Sequence, residues 1–379
     1  MRALLYRLSW LALGALAALL VLECIFRLLP VSLWTFRTGQ MERWPLQGYE
    51  ARRPYTYSRT WEMLNIHHGT TNNYGHIAPF EYRAGSHPVI ALGDSYVESL
   101  MNAYEDTMQG QLGERLGSRE SVYGLGFSGL SAADYLAISR LAGAELAPRA
   151  VVIVIFNGDL SESLLARQGY YHFEPQGYTF RLVYRPLDDD QSTRELRRMV
   201  RGSSLYRYVF GNLGFSFDSV FKLGRTEQAP RPLAAGGEAD SQRRVIDYFL
   251  AELPRATGVS PQCIAFLVDS DRYAIYNPKL ASVPNEQPEV RHYFLERAQK
   301  LGFAVSDLDP VFRARYARDR AKFDYWPSDR HWNRLGHGVA AEEAYRLLFG
   351  QGRRECLPGT IGPRTNARIN PAATASERR

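Results

Sequence analysis

The chain opens on an apolar run. Residues 8–22 (LSWLALGALAALLVL) carry no charge, and past a lone Glu23 the run continues through Cys24, Ile25 and Phe26 to about the length that spans a bilayer core. It is apolar all round rather than along one stripe, so it predicts a membrane helix over 8–26 and not a buried amphipathic one. From residue 87 the pattern changes. Short apolar runs predict strands at 88–92, 122–125, 150–156, 263–268 and 303–305, and the stretches between them predict helices at 108–116, 132–142, 289–301 and 336–348. The run AVVIVIF at 150–156 is apolar on both faces, which suits the middle of a parallel sheet. Strands alternating with helices imply βαβ units, hence an α/β fold with a doubly wound parallel sheet.

Two stretches break that alternation. Residues 27–85 are rich in Trp, Tyr and Arg without clean periodicity, and they read as a juxtamembrane segment packed on the main domain. Residues 161–243 hold tyrosine-rich hairpin-like sequence, an acidic turn at Asp188, Asp189 and Asp190, and a basic helix with Arg194, Arg197, Arg198 and Arg201. An Ala/Gly/Pro-rich linker follows at 228–239. This is an irregular insertion over one end of the sheet. The composition after Arg353 is that of a disordered tail. The expected organisation is a cytoplasmic N-terminus at 1–7, an anchor at 8–26, the juxtamembrane segment at 27–85, the main domain at 86–350 and a tail at 351–379.

The apolar run ends in Glu23, Cys24, Ile25, Phe26 and Arg27, which offers no small-residue cleavage site, and Glu23 stands where a lipoprotein signal needs a small residue. Arg2 and Arg7 before it favour an N-in orientation, which Arg27 and Arg37 soften. An uncleaved single-pass anchor in the cytoplasmic membrane is therefore expected, with the body outside the cytoplasm.

Composition adds limits. A chain of 379 residues with 45% hydrophobic content can build one large α/β domain plus extras. Its net charge of +6 comes almost wholly from arginine, Lys222, Lys279, Lys300 and Lys322 being the lysines. The basic residues are scattered without a nucleic-acid-binding signature, so no such partner is expected. Cys24 falls in the apolar leader, leaving Cys263 and Cys356 as a possible pair, either bridged in an oxidising compartment or two separate thiols. His67 and His68 are adjacent, lack a third spaced ligand and read as an exposed loop; no metal or cofactor is expected.

Gly93-Asp94-Ser95 directly follows an apolar strand. A serine at the carboxyl end of a strand in an open α/β sheet sits where ligands bind, and the next turn can aim backbone N–H groups at a developing oxyanion. Val97 replaces the second glycine of the Gly-x-Ser-x-Gly elbow. Far downstream, Asp329 stands two residues before His331, just ahead of the last helix. A nucleophilic serine needs such a base, and the imidazole needs a carboxylate to fix its tautomer. His337 competes for the role but falls inside the last helix, pointing along its first turn.

In order, Gly93-Asp94-Ser95, Gly126 to Gly129, Asn157-Gly158-Asp159 and Asp329-x-His331 resemble the four blocks of SGNH (GDSL-type) hydrolases, over about residues 86–350 without the insertion. The resemblance implies a flavodoxin-like sheet, Ser95 as nucleophile, and His331 with Asp329 as its base system. It also implies oxyanion donors at Ser95, Gly129 and Asn157. Two departures stand out: Asn157 is shifted by one within its block, and the usual place of the acid, three before the histidine, is held by Ser328. Asp329-x-His331-Trp332 is also similar to the motif of alginate-type polysaccharide O-acetyltransferases, in which that pair precedes the serine. Three functions follow as expectations. The first is an extracytoplasmic esterase acting on acyl, above all acetyl, esters of a cell-surface glycan or a small ester. The second is an O-acyltransferase working with envelope polysaccharide-modification partners. The third is a non-catalytic scaffold.

Overall fold

The computed structural model describes residues 2–33, 37–38, 48–156, 158–187, 199–215, 235–280, 288–327, 329–350 and 356. Asn157, Ser328, the acidic turn at Asp188, Asp189 and Asp190, the arginines 194, 197 and 198, and the tail other than Cys356 lie outside the described residues.

Helix α1 (Arg2–Leu28) is long and apolar enough to cross a membrane; its most apolar stretch is not buried in the body, and only its carboxyl end, at Glu23 and Phe26, packs on it. A hairpin of β1 (Pro54–Arg59) and β2 (Leu64–Thr70) follows within the juxtamembrane segment. His67 and His68 therefore lie on a strand, where a loop was expected: His68 Nδ1 meets Thr56 Oγ1 across the pair at 3.0 Å.

The domain proper then alternates β3 (Val89–Gly93), α2 (Ser95–Glu98), α3 (Met108–Arg115), β4 (Val122–Gly126), α4 (Ala132–Glu145) and β5 (Ala150–Ile155). A second hairpin, β6 (Tyr171–Gln176) and β7 (Thr179–Tyr184), and the short α5 (Ser204–Arg207) belong to the insertion. After it come α6 (Ala235–Thr257), β8 (Ile264–Val268), α7 (Arg272–Tyr276), α8 (Pro288–Lys300), β9 (Ala304–Asp307) and α9 (Leu308–Asp319). The two-residue β10 (Asp324–Tyr325), its antiparallel partner β11 (Asp329–Trp332) and α10 (Arg334–Phe349) close the domain.

The sheet runs β9-β8-β5-β3-β4 with every pairing parallel. Numbered by chain order from the other edge this is 2-1-3-4-5, the flavodoxin-like order, so β3 and β5 flank the point where the winding reverses. Every residue of β3, β4, β5 and β8 is buried, which is why these segments are apolar on both faces. Helices α4, α6 and α8 cover one face, while α3, α9 and α10 cover the other. The Ala/Gly-rich stretch expected as a linker is helical from Ala235. The reason is that Val245, Ile246, Phe249, Leu250 and Leu253 repeat at helical spacing and are buried, fixing the rest of α6. Cys263 and Cys356 are disulfide-bonded, tying the chain beyond α10 to the start of β8; Cys24 is a free thiol.

Candidate active site

Ser95 owes its position to two glycines. Gly93 ends β3, and a Cβ there would come within 2.6 Å of the Val97 Cγ2 atom. Gly126 ends the neighbouring β4, and a Cβ there would lie 2.4 Å from the Glu98 backbone nitrogen. Without those side chains α2 can settle on the ends of both strands. Asp94 caps it, its Oδ1 accepting the Tyr96 N–H at 3.0 Å. Ser95 is thus the first residue of α2, at the carboxyl edge of the sheet and at its switch point.

Strand β11 brings His331 to it. The Ser95 hydroxyl meets His331 Nε2 at 2.7 Å, and His331 Nδ1 meets Asp329 Oδ1 at 2.6 Å. The same carboxylate oxygen accepts the backbone N–H of His331 at 3.0 Å. With Nδ1–H given to the carboxylate, Nε2 is left as the acceptor for the serine proton. The second oxygen of Asp329 pairs with the guanidinium of Arg59, and the Tyr57 hydroxyl approaches it at 3.5 Å. Burial opposes ionisation of Asp329. Its hydrogen bonds to His331 and the charges of His331 and Arg59 outweigh that, holding the carboxyl well below the usual carboxylate range.

Sequence reasoning missed the groups that hold this loop in place. Asp269 follows β8, and both its oxygens receive Arg272 Nη1, at 2.5 and 2.6 Å; the two side chains are almost wholly buried. Arg272 Nη2 then donates to the backbone carbonyl of Arg330 at 2.6 Å, between the acid and the base. Tyr96 OH reaches the same carbonyl at 3.1 Å, and the indole N–H of the fully buried Trp332 donates to Asp269 at 3.1 Å. The available signal was a charged Asp-x-x-Arg at the carboxyl end of an apolar strand. Glu98 was missed as well. Buried on the same short helix as Ser95, it accepts the Tyr49 hydroxyl at 2.5 Å and the Ser128 hydroxyl, which ties the first two sequence blocks to the segment before the sheet.

Gly129 sits in the left-handed region with φ of +83°, where a side chain is disfavoured. The insertion leans on this turn: Arg167 Nη2 donates to the Gly129 carbonyl at 2.7 Å and the Tyr170 hydroxyl to that of Ser128 at 3.2 Å. The third expected oxyanion donor, Asn157, lies outside the described residues. His337 is within α10, as expected, but points at α3 and not along its own first turn. Its Nδ1 accepts the Met108 N–H at 3.0 Å and its Nε2 donates to Ser99 Oγ at 2.9 Å. Burial pushes it down to about 3, helped by the charges of His331 and Arg272, so it stays neutral and structural. A cleft of about 210 Å³ is lined by Tyr96 and Arg330, the neighbours of Ser95 and His331 in the chain, and by Phe156, Leu160, Tyr273 and Phe294.

Two predictions follow from these contacts. Asp329→Asn should lower kcat by about four orders of magnitude, the scale of losing the correct tautomer. Arg59→Gln keeps that tautomer and removes only a charged hydrogen bond, so its cost should be about 10- to 100-fold; equal losses in steady-state assays would contradict the division of labour. His337 has the opposite test. Its folded pKa lies below its unfolded one, so the unfolded state takes up the proton first and stability is lost as pH falls from about 6.5. His337→Gln should therefore destabilise at pH 7, and that penalty should shrink by up to about 1.4 kcal/mol per pH unit towards pH 4 in urea unfolding. A penalty constant across that range would place a proton on His337 in the fold.

No protein-family model matches the chain, and no curated protein does. Among solved structures it is similar to LAE5, described as an alpha/beta hydrolase enzyme from the metagenome of Lake Arreo, Spain. That match has 13% identity and a TM-score of 0.40, covering 70% of this chain and 96% of that one. It is also similar to TesA, at 13% identity and a TM-score of 0.34, covering 69% of this chain and 98% of that one.

Proposed function

We propose that the protein is a serine ester hydrolase of the SGNH type, anchored by α1 with its body outside the cytoplasm. One observation carries the reading: the unbroken run from Asp329 through His331 to Ser95 Oγ, with bonds of 2.6 and 2.7 Å, at the carboxyl edge of a parallel sheet. His331 Nε2 takes the proton of Ser95 Oγ as that oxygen bonds to the ester carbonyl carbon. The carbonyl oxygen becomes an oxyanion, received by backbone N–H groups at Ser95 and Gly129 and by Asn157. Collapse breaks the bond to the leaving alcohol, which receives the proton from His331, and leaves an acyl group on Ser95. Water, deprotonated by the same imidazole, then releases the acid and restores the serine.

The substrate class is an acyl ester, above all an acetyl ester of a cell-surface glycan. The uncovered apolar helix supports anchoring, and the Cys263–Cys356 bond supports an oxidising compartment. A second reading, transfer of the acyl group to a sugar hydroxyl by the same triad, is favoured by Arg167 and Tyr170, which cover the Ser128–Gly129 turn and could restrict water there.

The test is turnover of p-nitrophenyl acetate by the full chain, with and without an acetyl-accepting oligosaccharide, together with fluorophosphonate labelling. Hydrolysis and labelling that both vanish in Ser95→Ala, with rates indifferent to the oligosaccharide, are expected. Acetyl appearing on the sugar at the expense of hydrolysis moves the assignment to a transferase. An unlabelled, inactive wild-type chain leaves only a scaffold.

A further inference from the structure

Around the carboxyl end of α1 the body exposes large apolar side chains that its core does not use. Their placement follows from how α1 is seated. The Glu23 carboxylate, alone in the apolar run, accepts Ser203 Oγ at 2.7 Å, Ser204 N at 3.0 Å and Leu205 N at 2.9 Å, so it caps α5. One turn on, Phe26 stacks on Tyr208 at 4.2 Å, and the Tyr208 hydroxyl donates to the Trp61 carbonyl at 3.1 Å. Further along, Ser58 Oγ donates to the Pro30 carbonyl at 2.6 Å, and Leu33 bridges Thr56. Residues 30–33 therefore run antiparallel to residues 58–56. Tyr208 joins the tip of the β1–β2 hairpin to Phe26, the last aromatic residue of the apolar helix.

We infer that this end of the body is a lipid-contacting face, on which Trp61, Leu64 and Ile66 of the hairpin and Met199, Leu213 and Phe215 of the insertion enter the headgroup boundary of the bilayer that α1 spans. Trp61 is 68% exposed, Met199 76% and Leu64 52%. Exposed apolar side chains gathered at one place mark a contact surface. The occupant is lipid because the patch surrounds the point where an uncovered apolar helix leaves the body, and the Glu23 cap fixes the two together. A tryptophan at that level matches the aromatic belt of membrane interfaces. The inference goes beyond the hydrolase reading and rests only on α1 being a membrane span. Its consequence reaches the site: Arg59, paired with Asp329, ends the strand that leads into the turn carrying Trp61, two residues on. The triad acid is thus tied to the element that meets the membrane.

The test uses the full chain with Cys24→Ala and a single added cysteine carrying an environment-sensitive fluorophore, in phosphatidylcholine vesicles with or without spin-labelled quencher lipid. The positions are Trp61→Cys, Phe215→Cys, Leu16→Cys inside α1, and Tyr178→Cys at the exposed tip of the other hairpin. Labels at 61 and 215 should be quenched about twofold by a quencher at headgroup depth, as an interfacial apolar face requires. The label at 16 should answer to a deep quencher, and that at 178 to none. Labels at 61 and 215 that behave like 178 while 16 is quenched overturn the lipid face and leave the anchor standing. Fluorescence shifted at 61 and 215 without lipid quenching overturns it in favour of a protein partner. An unquenched label at 16 removes the anchor, and the lipid face with it.

Discussion

The site depends on a charge pair that is almost entirely shut off from water. Placing Arg272 and Asp269 inside the domain costs several kcal/mol of desolvation per ion, which only close geometry and further hydrogen bonds can offset. Both are present: the carboxylate is held through two oxygens and also takes the Trp332 indole, while Arg272 Nη2 reaches the Arg330 carbonyl and the Tyr96 hydroxyl and its Nε lies 3.4 Å from Asp324. Those bonds clamp the peptide between Asp329 and His331. With that peptide fixed, a two-residue separation suffices, because the same Asp329 oxygen can accept both the backbone N–H and the ring N–H of His331. The departure in spacing seen in the sequence thus has a local physical basis.

The segment between α1 and the sheet contributes side chains to the site. Arg59 and Tyr57 from β1 face the outer oxygen of Asp329, and Tyr49 holds Glu98 at the end of α2, the helix that Ser95 opens. Asp329 is buried and would resist ionisation; the positive partner supplied by this segment helps keep it a carboxylate. Since residues 30 and 33 pack along the same strand, α1, the hairpin and the Asp329–His331–Ser95 cluster form one connected series of contacts.

The sheet was legible because its central strands are buried on both faces and so are apolar without interruption. The meeting of Ser95, His331 and Asp329 was legible because a serine at a strand end and an Asp-x-His before the last helix are chemically informative together. Arg59 and Tyr57 were not, since the register of the hairpin shifts between them and the burial of β1 does not alternate. Nor were Asp269 and Arg272, because opposite charges three apart after a strand ordinarily mark a solvated turn, and only the tertiary fold buries them. His337 was placed on the correct helix, but its partner, the Met108 N–H at the start of α3, is far away in sequence.

The central claim is that Ser95, activated by His331, carries the acyl group during turnover. The most direct measurement is rapid acid quenching of the full chain reacting with p-nitrophenyl acetate, followed by peptide mapping of the trapped protein. The account predicts a burst of p-nitrophenol with an acetyl group on the peptide that contains Ser95. Steady turnover with no acetyl at Ser95, or with the acetyl on Ser128, would contradict it.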